Sequence, residues 1–162
     1  MIKPNYLLLC FTLIGFSSAC TNADEESLDY IILGHWSQSS PFPDGPTRVY
    51  LSAYHFMPDG TFEHSLKVVE KDGETDLELG YMSLHTGFYQ LLKDTLIFDN
   101  IRYYGLDGVN ETLPKEDLTE QLAGQKEKVR ISFNKKRDEL TLNKPCADFG
   151  SCLTAQVYKR AN

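Results

Sequence analysis

From Val49 onward the chain alternates between apolar and polar residues with a period of two, the spacing of half-buried strands. Val49 to Met57 and Thr61 to Val69 are two such runs, separated by Pro58-Asp59-Gly60. That tripeptide is a tight turn by composition: proline presets φ, aspartate caps the turn and glycine takes the left-handed position. A three-residue loop pairs Met57 with Thr61, and therefore Phe56 with Phe62 and Tyr54 with His64. These four side chains then share the core face, continued by Leu66 and Val68. His55, Glu63, Ser65 and Lys67 face water.

Further runs follow: Tyr81 to Leu92 with Gly87 as a bulge, Thr95 to Tyr104, Val129 to Phe133, Glu139 to Asn143 and Leu153 to Lys159. Tyr30 to Gln38 opens the series, before a loop at residues 39–46 that holds three prolines. Residues 105–127 are polar and contain Pro114, and 114–123 is expected to form a short helix. About eight short strands with turn signals between them define an all-β domain, either a sandwich or an up-and-down barrel.

The first twenty residues obey a different pattern. Lys3 precedes an apolar run from Leu7 to Phe16, then Ser17, Ser18, Ala19 and Cys20. The run suits a signal-peptide core and is about half the ~20 residues a membrane-spanning helix requires. The end of the segment resembles the lipobox of bacterial lipoprotein precursors, with Cys20 as the lipidation site. Ser17 stands where that motif usually has leucine, so cleavage after Ala19 without lipid is the alternative. Either route makes Cys20 the mature N-terminus. The division expected is a signal peptide at 1–19, an acidic tether at 20–29 and one domain at 30–162. Asp24-Glu25-Glu26 is similar to the surface-export signal of Bacteroidetes lipoproteins. A lipid-anchored protein of a Gram-negative envelope, outer membrane favoured, is the expected location.

Of four cysteines, Cys10 lies inside the signal core and Cys20 at its end. Cys146 and Cys152 remain, flanking a turn-like segment in an oxidising compartment, and a disulfide between them is expected. The net charge is −7, and loss of Lys3 with the signal makes it one unit more negative. That balance argues against nucleic acid as a partner, because phosphates would be repelled. The membrane is expected to be met only through the lipid, and the domain to be monomeric.

Several segments together resemble small lipocalin-like lipoproteins: Leu33-Gly-His-Trp36, Tyr54-His-Phe-Met-Pro-Asp-Gly-Thr-Phe62, and Gly87-Phe-Tyr89 with the turn at Lys93-Asp94. The resemblance spans about Leu33 to Phe98. It implies an antiparallel up-and-down β-barrel of about eight strands. It also implies that Trp36 packs against a basic residue of the last strand, Lys159 or Arg160, to close one end of the barrel.

No nucleophile elbow, metal-ligand spacing or cofactor motif occurs, so no catalytic residue, metal or cofactor is expected. The tyrosines offer both apolar area and a hydroxyl. Tyr54, Tyr89 and Tyr103, with the inward-facing His64, are the candidates for lining a ligand site. Two readings follow: a barrel that binds a small apolar or amphipathic ligand, or a filled barrel that contacts another envelope component. A hydrolase would require Ser, His and Asp from separate strands to converge.

Overall fold

The computed structural model describes residues 28–43, 45, 47–72, 75–107, 111–143 and 155–161. The signal segment, Cys20 and the Cys146–Cys152 pair lie outside the described residues. A short helix α1 (Leu28–Ile32) is followed by eight strands: β1 (Gly34–Pro41), β2 (Arg48–Phe56), β3 (Thr61–Asp72), β4 (Thr75–Leu92), β5 (Thr95–Gly105), β6 (Thr119–Phe133), β7 (Glu139–Asn143) and β8 (Gln156–Arg160). Each strand pairs antiparallel with the next, and β8 returns to β1 through Trp36–Arg160 and Ser37–Lys159. The result is a closed up-and-down barrel, which leaves no sheet edge along the closed part.

The β2–β3 hairpin has the register that its turn demands: Phe56 faces Phe62 and Tyr54 faces His64. Asp59 accepts bonds from the Thr61 amide (2.9 Å) and hydroxyl (2.6 Å), which fix the turn. Gly87 is the expected irregularity, since the β4–β5 register shifts between Thr86 and Phe88. A Cβ there would lie 2.8 Å from the Asp99 carbonyl oxygen and 3.1 Å from the Phe62 ring, so only glycine fits.

Four expectations need correction. Residues 114–123 are not a helix: a single 3₁₀ turn at Lys115–Asp117 leads into β6, which starts at Thr119. The polar run 119–127 is a strand because β5 supplies its backbone partners, which local composition does not reveal. Tyr30 to Ile32 belong to α1 rather than to the first strand, and β1 extends to Pro41 rather than ending at Gln38. β4 begins at Thr75, six residues before the strand expected there. Ser65 faces outward yet is 4% exposed. The segment 111–118 crosses the outside of β3 and β4, held by the Tyr81–Leu113 bridge and a 2.6 Å Lys115–Glu63 ion pair.

The core is aromatic and aliphatic: Ile32, Trp36, Tyr54, Phe56, Phe62, Leu96, Phe98, Ile101, Val129, Ile131, Leu140, Leu142 and Tyr158. It fills the half of the barrel nearest α1. A five-residue helix has no stability of its own in water, so α1 exists because Ile31 and Ile32 are buried across that end. Its last carbonyls are satisfied by side chains. Trp36 Nε1 donates to Ile32 O (2.7 Å), and the Arg160 guanidinium donates to Leu33 O (3.0 Å) and Ile31 O. Gly34, at φ +101°, turns the chain from this cap into β1.

A candidate ligand-binding layer in the barrel

One row of directly paired residues runs around the inner wall: Arg160, Trp36, Tyr54, His64, His85, Tyr103 and Leu122. Side chains paired in this way share a face of the sheet. From Trp36 onward, burial falls along the row. Trp36 is 0% and Tyr54 5% exposed, His64, His85 and Tyr103 are half-buried, and Leu122 is 58% exposed. The row therefore climbs from a sealed floor to an open mouth, as tilted strands in a barrel require.

Polar groups converge at its middle. Ser52 Oγ lies 2.9 Å from His64 Nε2 and 3.1 Å from the Tyr158 hydroxyl, and that hydroxyl is 3.4 Å from Gln156 Oε1. The protons along this chain have two consistent directions. His64 Nε2 donates to Ser52, Ser52 to Tyr158 and Tyr158 to Gln156. Alternatively, Tyr158 donates to Ser52 and Ser52 to His64, a direction that gives up the Tyr158 to Gln156 bond. The rings continue the layer: Tyr54 stacks on His64 (4.1 Å between centroids), His64 meets His85 edge-on (5.1 Å) and His85 meets Tyr103 (4.8 Å). Glu127 is paired with the core residue Phe98 and so faces the same interior. Burial pushes the Tyr54 phenol well above its ordinary value, with Tyr158 and the Glu127 charge adding to the effect. Burial also raises Tyr158, partly offset by its bond to Ser52.

Of the residues expected at a ligand site, Tyr54, His64 and Tyr103 share this row. Tyr89 lies nearer the closed end, where its hydroxyl donates to Met57 O (3.0 Å) and its ring packs edge-on against Phe56. Trp36 and Arg160 stand side by side where β1 meets β8, with the guanidinium 4.4 Å above the indole. Sequence reasoning passed over Ser52, Gln156, Tyr158 and Glu127. Ser52 was within reach, because strand alternation puts it on the face of Tyr54. Glu127 was not, because its segment read as loop and helix.

Hollows on the described surface lie outside this layer. One of about 560 Å³ sits at the closed end between Tyr30, Leu33, Pro58 and Tyr89. Another of about 490 Å³ lies on the outer face among Ser37, Leu51, Val69 and Val157. The first is the larger, but the Tyr89 hydroxyl lining it is already bonded. The interior layer is the place where several polar side chains converge over an apolar floor, the usual composition of a ligand site.

Ser52 and His64 have the separation of a nucleophile and its base. Ser52, however, sits in a central strand, paired with Gln38 on one side and Leu66 on the other. Backbone N–H groups there serve the ladder, leaving no paired donors for an oxyanion. Among the described residues, no three His, Cys, Asp or Glu side chains converge as metal ligands. Comparison with protein-family models, curated proteins and solved structures finds no match to this chain.

Proposed function

We propose that this protein is a lipid-anchored, lipocalin-like barrel of the bacterial envelope that binds a small apolar or amphipathic ligand and carries out no catalysis of its own. The observation that carries the reading is the graded row: a sealed aromatic floor beneath a half-exposed layer of Ser52, His64, His85 and Tyr103. Side chains fill many eight-stranded barrels completely. A half-exposed polar layer above a dry floor instead suits a molecule with an apolar body and a hydrogen-bonding end. Anchoring through Cys20 is supported by the signal-like segment that ends at it.

The test is to soak the delipidated protein with a fatty acid, haem and a hydrophobic dye and to identify what is retained by native mass spectrometry. Retention of one class at one copy per chain is expected. Retention of nothing would sink the binding reading and leave the filled-barrel interaction protein in its place. Anchoring is tested separately: the mature mass should exceed that of the bare chain by its acyl groups, and Cys20→Ala should abolish the difference.

A further inference from the structure

The closed end of the barrel differs in charge from the chain as a whole. Three turns meet α1 there: residues 58–60 beside Tyr30 and Leu33, and the turns at Lys93-Asp94 and at 134–138 beside Ile31. The Asp94 carbonyl accepts a 2.7 Å bond from the Ile131 amide, which ties the last two turns together. In a chain of net charge −7, these turns hold four cations, Lys93, Lys135, Lys136 and Arg137, against three aspartates. Each aspartate is short and held to its own turn: Asp59 accepts from Thr61, Asp94 from Thr95 at 3.3 Å and Asp138 from Asn134 at 2.6 Å. The four cations are exposed, on long stems that carry their charge past the turns. Lys93 and Arg137 have φ of +58° and +60°, a left-handed conformation that glycine adopts at less cost, so these side chains are kept against the preference of the backbone. Apolar surface accompanies them. Tyr30 is 71% and Leu92 51% exposed, and Ile31, Ile131, Phe133, Lys135 and Arg137 share a hollow of about 330 Å³.

Basic side chains around exposed apolar ones suit a lipid surface of negative charge, each Lys or Arg adding about five-fold to binding when it stands at the headgroups. Charge further up the barrel counts for less. At physiological salt the field falls off within about 8 Å. The nine residues of β2 separate the two rims by more than about 20 Å even when the strand is tilted. The closed end is also where the chain arrives: α1 begins at Leu28, eight residues after Cys20, a reach of about 28 Å at most.

We propose that the closed end is a docking face for an anionic lipid surface, with Lys93, Lys135, Lys136 and Arg137 at the headgroups and Tyr30 and Leu92 in the interface. This rests on the reading of Cys20 as the membrane anchor, to which it adds a second contact, made by the folded domain itself. The mouth of the barrel then opens away from the membrane.

The experiment is co-sedimentation of the mature chain, made with Cys20→Ala so that no acyl group contributes, with vesicles of phosphatidylcholine alone or in equal parts with phosphatidylglycerol. The mixed vesicles are expected to bind it about ten-fold more strongly, the aspartates offsetting part of what the four cations contribute, and added salt should remove the advantage. Lys93→Gly with Lys135→Gln and Lys136→Gln should erase the advantage without lowering the melting temperature, since glycine suits the backbone at position 93. A control that removes three cations elsewhere, Lys71→Gln with Lys115→Gln and Lys126→Gln, should keep most of it. The comparison of vesicles with otherwise unaltered protein stands as a test even if a variant is unstable. Equal binding to the two vesicles, binding to neither, or equal loss in the two triple variants overturns the docking face. Because the chain used carries no lipid, those results leave anchoring at Cys20 to its own test by mass.

Discussion

Replacing Arg160 with methionine keeps the aliphatic stem and deletes the guanidinium, which performs three tasks at the closed end. It donates to Leu33 O at 3.0 Å, donates to Ile31 O, and lies 4.4 Å over the Trp36 ring. Hydrogen bonds from charged donors contribute about 1.5–3 kcal/mol each when well sheltered. The bond to Leu33 is exposed and the bond to Ile31 part-buried, so about 1 and 1.5 kcal/mol are appropriate, with about 0.5 kcal/mol for an exposed cation–π contact. The expected loss is about 3 kcal/mol, made worse by two helix-terminal carbonyls left without their donors. Arg160→Lys keeps the charge but not the fork, and should lose about half as much. Urea unfolding followed by the fluorescence of Trp36, the single tryptophan, reads this directly. A loss below about 0.5 kcal/mol for Arg160→Met, with an unchanged denaturant slope, would refute the claim that Arg160 holds the cap.

Three other outcomes are expected. Gly87→Ala should destabilise by about 1–3 kcal/mol, because its Cβ would press on the Asp99 carbonyl and the Phe62 ring; an unaffected midpoint in thermal melting would contradict this. Ser52→Ala and Tyr158→Phe should each cost about 1 kcal/mol, and the double variant less than their sum, since they share one hydrogen-bond chain; strict additivity would show that the chain does not act as a unit. Burial and the His35 ring stacked at 3.8 Å hold His55 below its ordinary pKa, against a weaker opposite pull from Glu63. The unfolded state then takes up the proton more readily, so stability is complete above about pH 6.5 and declines as pH falls below it. Urea midpoints between pH 7.5 and 5.5 should show that decline, and His55→Gln should flatten it; an identical slope in the variant would count against the assignment.

The parts of this fold legible in sequence are those where one face of a strand is apolar and its turn has a mechanism. Pro58-Asp59-Gly60 sets the β2–β3 register, and the register places Tyr54 and His64 on the inner wall. β6 was illegible because Thr119 to Lys126 are solvated on both faces, so no period marks them; the segment is a strand through its backbone bonds to β5. α1 was misread because its isoleucines favour strands locally, whereas burial across the barrel end and the Trp36 and Arg160 caps make it helical. The burial of Ser65 was missed because the outer face of β3 is met by residues from about fifty positions further along the chain, as Lys115 beside Glu63 shows. The candidate layer was half-visible: its rings follow from alternation, but its carboxylate and hydroxyl chain depend on β6 and β8 meeting across the interior.

The most direct test of the central claim is where a retained ligand sits. Titrating a bound hydrophobic dye into isotopically labelled protein, while recording aromatic and amide NMR shifts, locates it residue by residue. The account predicts changes concentrated on Ser52, His64, His85 and Tyr103, with the closed end around Tyr30 and Trp36 unmoved. Changes confined to the Tyr30–Pro58 hollow or to the outer face, with the inner row silent, would contradict it.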